Sequence, residues 1–125
     1  MIGLITLAGD GRRFKQVGEK VPKPLLKIDG IPMIIKAVDC LPTLEKYVFV
    51  CREEHVYEFD IKNILLSKYP NSEIVTINKT TEGQACTAEI GIAESSIKDE
   101  DEILISCCDY GLQYSLDRFN LIKKN

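Results

Sequence analysis

Two glycines followed by paired arginines form the segment of the sequence best suited to hold a small anion. The segment "LAGDGRRF" (residues 7–14) leads to "VPKPLL" (21–26). Glycines let backbone N–H groups approach a phosphate or a base, and basic side chains neutralise its charge. Residues 9–27 carry six basic and two acidic side chains, although the 125-residue chain has a net charge of −3. A basic loop on an acidic body suits a small anion better than nucleic acid.

Two widespread phosphate-binding loops do not fit this segment. The Walker loop requires Gly-Lys-Ser/Thr, which the sequence lacks. The dinucleotide fingerprint G-x-G-x-x-G would place a third glycine where Phe14 stands. That fingerprint also leads directly into a helix, whereas this segment continues to Pro22-Lys23-Pro24. Taken alone, Gly9 and Gly11 would indicate a tight turn. Followed by Arg13 and by Lys23 between two prolines, they favour phosphate binding.

Apolar runs and helical periodicity predict the elements that position these residues. Predicted strands cover residues 2–8, 47–52, 73–78 and 101–109, and predicted helices cover 32–44, 54–69, 83–95 and 112–124. Between them we expect an irregular loop at 9–24, a short extended piece at 24–28 and a turn at 29–32. This alternation predicts an α/β fold with a mainly parallel sheet covered by helices on both faces. Ligands of such sheets bind beyond the carboxyl ends of the strands, which are followed here by residues 9–13, 78–83 and 109.

Four motifs in this order resemble the sugar-phosphate nucleotidyltransferases: "LAGDGRRF", "VPKPLLKIDGIPMI", "INKTTEGQA" and "ISCCDYG". The resemblance implies a Rossmann-like three-layer α/β/α fold. It also implies an enzyme that joins a nucleoside triphosphate to a sugar 1-phosphate, or a similar phosphate acceptor, and releases pyrophosphate. It covers residues 1–125 as one nucleotidyltransferase-like domain. Only the nucleotide-binding part of the family's domain is matched, so the acceptor-binding C-terminal half is expected to be lacking.

The resemblance assigns the basic loop to the triphosphate. Ala8, Gly9 and Gly11 match the loop that wraps the triphosphate and the base. Arg13 matches the arginine that grips phosphate, and Lys23 matches the lysine that contacts phosphate at the reacting centre, so these two are the implied catalytic residues. Arg12 stands where the family usually has a small hydroxyl residue. A phosphate contact and a solvent-facing side chain both stay open for Arg12.

The two later motifs imply contacts to the base and to a metal. Gly83 matches a glycine that offers its backbone to the base. Asn78 stands five residues earlier, where a side-chain amide often binds the base edge; a strand-end turn is its alternative role. Asp109 matches an aspartate that binds catalytic Mg²⁺, with a turn residue as the alternative.

Three functional classes follow for the chain. The first is the nucleotidyltransferase itself, with a nucleoside triphosphate and a phosphate acceptor as partners. The second is a module that binds nucleotide but transfers nothing, and the third is an assembly protein that keeps only the fold. No nucleic-acid or membrane partner is expected. A homo-oligomer stays open as a further assembly. The N-terminus lacks the basic n-region of a signal peptide, so the cytoplasm is the expected location.

The remaining chemistry-bearing residues predict no catalytic group. The chain has five cysteines, an odd number without a C-x-x-C pair, and we expect buried reduced thiols. The single histidine, His55, falls at a predicted helix start, where a surface or capping role is expected.

Overall fold

Strands and helices alternate along the chain, as the apolar runs predict. The computed structural model describes residues 1–9, 21–108 and 114–124. In chain order the elements are β1 (Ile2–Leu7), β2 (Lys27–Ile28), β3 (Ile31–Pro32), α1 (Met33–Asp39), β4 (Lys46–Arg52), α2 (Glu53–Phe59), α3 (Ile61–Lys68), β5 (Ser72–Ile77), α4 (Gln84–Glu94), β6 (Ile103–Cys107) and α5 (Leu116–Lys124). Among these residues, no helix combines the length and apolar composition that a membrane span requires.

A parallel sheet with the strand order β5–β4–β1–β6 forms the centre of the described structure. In its register Leu7 lies opposite Cys51 of β4, and Thr6 lies opposite Cys107 of β6. The chain moves outward from β1 to β4 and β5, and then returns to the other side of β1 for β6. The strand order therefore reverses between β1 and β6, and the carboxyl end of this pair is the position at which such sheets bind ligands.

Both faces of the sheet are covered by helices, because strand residues alternate between two apolar clusters. One cluster joins Ile5, Leu7, Phe49 and Cys51 to buried residues of α1 and α3. The other joins sheet residues to α4: Leu4, Ala8, Val48, Val50, Val75, Ile77 and Ala88. Helix α4 packs closely against the sheet, as the small residues of the segment 83–95 predict. The predicted three-layer α/β/α architecture is confirmed.

Two predicted helices are shorter than their patterns indicate. The segment 54–69 is divided into α2 and α3 because Asp60 adopts a left-handed conformation, with φ 58°. Its carboxylate accepts a hydrogen bond from Asn63 Nδ2 at 2.7 Å, which stabilises the break. Helix α1 ends at Asp39 rather than at residue 44. Pro42 lies two residues beyond the C-cap and has no N–H with which to continue the helix.

The connection from β1 to α1 contains a turn and a hairpin. The predicted extended piece at 24–28 is wrong in its first half, since Lys23–Leu25 form a 3₁₀ turn. Strands β2 and β3 then pair antiparallel around Asp29 and Gly30. Both residues have positive φ angles, 54° and 80°, as a tight two-residue hairpin turn requires. The predicted turn at 29–32 is thereby confirmed at Asp29 and Gly30, whereas Ile31–Pro32 form β3.

The cysteines are free thiols, but only Cys51 and Cys108 are buried. Burial raises the pKa of Cys51 to about 12, and the nearby Cys108 adds to the shift. Cys51 thus remains a neutral, unreactive thiol near pH 7, as expected for a small apolar residue. Cys40, Cys86 and Cys107 are partly exposed, which corrects the expectation that every cysteine is buried.

The amino end of the sheet is held by an ion pair whose contribution to stability should depend on pH. Glu73 lies 3.0 Å from Lys46 Nζ and accepts a hydrogen bond from Ser96 Oγ at 2.8 Å. Burial acts to raise the pKa of Glu73, but the hydrogen bonds from Lys46 and Ser96 outweigh it and lower the pKa below the usual 4.5. The stabilisation is therefore present above pH 4.5 and is lost as the pH falls through the folded-state pKa.

We expect Glu73→Gln to reduce the free energy of unfolding at pH 7 by about 1 kcal/mol, because both partners are partly exposed. Urea denaturation at pH 7 and at pH 3.5 measures the effect. The difference between wild type and variant should shrink at the lower pH. Glu58→Gln, an exposed change on α2, is the control. Equal losses at both pH values would show that the carboxylate charge of Glu73 does not stabilise the fold.

Candidate functional site

The carboxyl edge of the sheet brings together the described residues that the motifs single out. Ala8 and Gly9 follow β1, and Asn78 follows β5, while Gly83 begins α4 at the same edge. Because all strands of this sheet run parallel, these segments leave it on one side. Gly11, Arg12, Arg13 and Asp109 lie outside the described residues, so their assigned roles stay predictions.

Ala8 and Gly9 occupy different environments at the end of β1. Ala8 is buried against the α4 side of the sheet, whereas Gly9 is exposed. A Cβ atom placed on Gly9 would meet no atom of the described structure within 4 Å. Its φ is also outside the positive range that requires glycine. Neither packing among the described residues nor backbone conformation explains this glycine, which is compatible with a need for close approach by a ligand.

Lys23 lies in a rigid turn. Pro22 and Pro24 flank it, and Leu25 N–H donates to the Pro22 carbonyl at 2.9 Å. Pro24 and Leu25 are buried, and Leu25 belongs to the same apolar cluster as Leu7 and Cys108. The backbone of Lys23 is therefore fixed to the helix-covered face of β1 and β6, while its side chain is only half-buried.

Gly83 is the N-cap residue of α4 and has φ 155° and ψ −178°. This conformation is essentially limited to glycine. The Gly83 carbonyl accepts hydrogen bonds from Thr81 Oγ1 at 2.9 Å and from Thr87 Oγ1 at 3.1 Å. The two hydroxyls are 2.6 Å apart. Two threonines thus lock the start of α4 in one arrangement around Gly83.

Replacing Gly83 by alanine is expected to lower the free energy of unfolding by about 1–3 kcal/mol, because alanine cannot easily adopt this backbone conformation. Chemical denaturation of the variant measures the loss. Gly9→Ala is the matched control, since Gly9 has neither a left-handed φ nor a crowded Cβ position. If both variants lose the same stability, the conformation of Gly83 is not the reason for its glycine.

The loop between β5 and α4, residues 78–83, also forms one wall of an open groove. The groove has a volume of about 330 Å³ and is lined by Glu53, Thr76, Ile77, Asn78, Lys79, Thr81, Ile90 and Glu94. Asn78 is exposed at the end of β5, with its side chain available to a ligand. This groove is at the β5 edge of the sheet, two strands away from β1, so it does not include Gly9.

Sequence reasoning overlooked Arg52 and misjudged His55. Arg52 ends β4 at the same edge, and its side chain is only 13% exposed. A charged residue at the carboxyl end of a predicted strand was the available signal. His55 is buried, 6% exposed, against the edge of Phe59, so the expected surface or capping role is wrong. The helix face that points inward could not be chosen before the break at Asp60 was known.

No cluster of three His, Cys, Asp or Glu side chains in the described ranges could hold a metal ion. Cys107 ends β6, and Cys108 follows it directly before Asp109. The aspartate assigned to Mg²⁺ lies outside the described residues, so this assignment stays a prediction.

Comparison with solved structures identifies the fold. The inositol-1-phosphate CTP transferase from T. maritima superposes with a TM-score of 0.70, at 20% identity, over 86% of this chain and 43% of its own. The nucleoside-diphosphate-sugar pyrophosphorylase from Vibrio cholerae RC9 gives a TM-score of 0.73, at 19% identity, over 96% and 53%. The chain has a sugar-phosphate nucleotidyltransferase fold. No protein-family model and no curated protein sequence matches it.

The nucleotidyltransferase fold accounts for the α/β/α layers and for the parallel sheet. The chain spans only about half the length of these two solved structures. At such low identity the likeness concerns the fold, and the roles of single residues rest on the sequence motifs. The described motif residues Ala8, Gly9, Asn78 and Gly83 lie at one edge of this fold, while Lys23 lies in the 3₁₀ turn.

Proposed function

We propose that the chain is the nucleotide-binding part of a nucleotidyltransferase, which joins a nucleoside triphosphate to a sugar 1-phosphate or a related phosphate acceptor. The observation that carries the proposal is that the nucleotidyltransferase fold places Ala8, Gly9 and Gly83 at one edge of the sheet. Ala8 and Gly9 come from one motif of the sequence, and Gly83 comes from another. Their convergence favours a binding site over unrelated turns.

The proposed layout separates the base from the phosphates. The triphosphate lies at the end of β1, on the loop that contains Gly9, Gly11 and Arg13. The base lies near the loop between β5 and α4. Strands β1 and β5 are two strand spacings apart, about 10 Å, so a single nucleotide bridges the two loops. Asn78 and Gly83 are the proposed base contacts, and Arg12 is a further candidate for the phosphates.

The chemistry requires no general base, since the attacking acceptor phosphate oxygen is already anionic. A new bond forms between this oxygen and the α-phosphorus, while the bond from that phosphorus to the bridging oxygen of pyrophosphate breaks. Catalysis then depends on positioning and on neutralising negative charge. Arg13 and Lys23 are proposed to supply positive charge to the phosphates. Bound Mg²⁺, which we assign to Asp109, would add further charge neutralisation.

A nucleotide-binding module without transferase activity is the second candidate. It is favoured by one observation, namely that the motif residues described at this edge, Ala8, Gly9, Asn78 and Gly83, are those assigned to nucleotide binding. Pyrophosphate release separates the two candidates. Release that depends on an added sugar 1-phosphate supports the transferase, whereas nucleotide binding without release supports the module.

A thermal-shift panel with CTP, UTP, dTTP, GTP and ATP, each with and without Mg²⁺, tests the proposal. Ligand at about 100 times its dissociation constant adds roughly 2.7 kcal/mol, which raises the midpoint by several degrees. We expect one base to give the largest shift, with a greater effect in Mg²⁺. Arg13→Ala should abolish the shift and the exposed Lys62→Ala should retain it. No shift with any nucleotide would contradict the proposed site.

A further inference from the structure

Arg52 links the sheet to the loop that carries the proposed base contacts. It is the last residue of β4 and lies opposite Ile77, the last residue of β5. Its Nη1 donates a hydrogen bond to Thr80 Oγ1 at 2.8 Å. Thr80 lies between Asn78 and Gly83, in the loop of residues 78–83. The guanidinium therefore reaches across the strand ends to the middle of this loop.

The guanidinium is itself held from a second direction. Arg52 Nε donates to Glu54 Oε1 at 2.8 Å, within the first turn of α2. Its side chain is 13% exposed, compared with 41% for that of Glu54. A planar guanidinium with two fixed donors has little freedom to rotate. The contact from Nη1 to Thr80 is consequently made from a rigid support.

The next residue of the loop is fixed to the opposite element. Thr81 Oγ1 bonds to the Gly83 carbonyl at 2.9 Å and lies 2.6 Å from Thr87 Oγ1 of α4. Adjacent threonines thus attach the loop to the sheet through Arg52 and to α4 through Thr87. Without the first attachment, Thr80 would lose its hydrogen bond to the end of β4.

From this geometry we propose that Arg52 is a positioning residue for nucleotide recognition. It holds Thr80 so that Asn78 and Gly83 are presented to the base in a fixed arrangement. The inference rests on the proposed nucleotide site. It assigns to Arg52 no contact with the reacting atoms. A loop fixed before binding avoids the entropic cost of ordering it when nucleotide binds.

Isothermal titration with the preferred nucleoside triphosphate, and separately with inorganic triphosphate, tests the role of Arg52. Thr80→Val removes the hydroxyl and leaves Arg52 intact, while Arg52→Lys keeps the charge but cannot reproduce both directed hydrogen bonds. We expect each variant to bind the nucleotide about 10-fold more weakly, the effect of losing one hydrogen bond to a charged group. Binding of inorganic triphosphate should be unchanged. Thr80→Ser, which retains the hydroxyl, should restore nucleotide affinity.

The outcomes separate the failure of this role from the failure of the site. If wild type binds the nucleotide and Thr80→Val binds it equally well, Arg52 does not position the loop, although the nucleotide site stands. If Arg52→Lys binds the nucleotide as wild type does, the directed hydrogen bonds of Arg52 are not required, and the positioning role is contradicted. If the variants lose as much affinity for inorganic triphosphate as for the nucleotide, the substitutions disturb the protein in general, and the proposal is contradicted. If wild type binds no nucleotide, the proposed function fails and this role with it.

Hydrogen exchange gives a second measurement that does not depend on a ligand. Amides of residues 78–83 should exchange faster in Thr80→Val than in wild type, while those of β4 and β1 stay protected. Unchanged exchange in this loop would contradict the positioning role.

Discussion

Lys23→Met is expected to weaken binding of a nucleoside triphosphate by at least about 10-fold. Hydrogen bonds to charged groups contribute about 1.5–3 kcal/mol, and the lysine ammonium would be lost from the phosphates. Methionine keeps most of the apolar stem of this half-buried side chain. The loss therefore reports on the charge and not on packing. Isothermal titration in the presence of Mg²⁺ measures it.

The matched control is Lys27→Met, four residues further along the chain. Lys27 is exposed on β2, beyond the 3₁₀ turn. Removing its charge changes the net charge of the protein equally. If both variants bind the nucleotide with the same affinity, only the net charge of the protein affects binding. The position of Lys23 between Pro22 and Pro24 then has no special role. A loss confined to Lys23→Met would place the phosphates beside this turn.

The sequence predicted the layers of the fold because burial leaves a direct pattern. A strand covered on both faces, such as β1, must be apolar at nearly every position. The segment "IGLITL" has this composition. The small residues of α4 likewise predicted a close approach to the sheet. The parallel order follows from alternation alone, since a helix must return the chain to the same end of the sheet.

Local interruptions were harder to predict, because several residues can adopt a left-handed conformation without a strong sequence signal. Asp60 divides α2 from α3, yet aspartate is also common within helices and at their N-termini. The 3₁₀ turn at Lys23–Leu25 depends on buried contacts of Pro24 and Leu25 that no periodicity reveals. These two features decide how His55 and Lys23 are oriented.

Long-range contacts limited how much of the candidate site could be predicted from the sequence. Gly83 could be found from a motif because its role depends on its own backbone. The role of Arg52 could not, although its position at the end of a predicted strand was a signal, since its partner Thr80 is 28 residues away and only the pairing of β4 with β5 brings them together. Gly11, Arg12, Arg13 and Asp109 lie outside the described residues, so their roles remain predictions from the sequence motifs.

The packing of α4 against the sheet connects stability with the proposed base site. Gly91 lies over the sheet, where a Cβ atom would be 2.6 Å from Val50 Cγ2 and 2.8 Å from Leu4 Cδ1. Leu4 and Val50 are both fully buried. Because protein interiors are close-packed, we expect any larger residue at position 91 to push α4 away from the sheet.

Gly91→Val is therefore expected to lower the free energy of unfolding by about 2 kcal/mol, the usual cost of overpacking a core. The gain from replacing glycine within a helix is only a few tenths of a kcal/mol for valine, so the clash dominates. Urea denaturation measures the loss. Ala93→Val is the matched control, because it adds the same branched side chain at an exposed position of α4.

A second consequence follows for the ligand. Helix α4 begins directly after Gly83, so a displaced helix would move this residue relative to the end of β1. Nucleotide affinity of Gly91→Val should then fall even at temperatures where the variant is fully folded, while that of Ala93→Val should not. If the variant loses stability but keeps full affinity, the start of α4 does not contact the base, and the proposed layout of the site would need revision at Gly83.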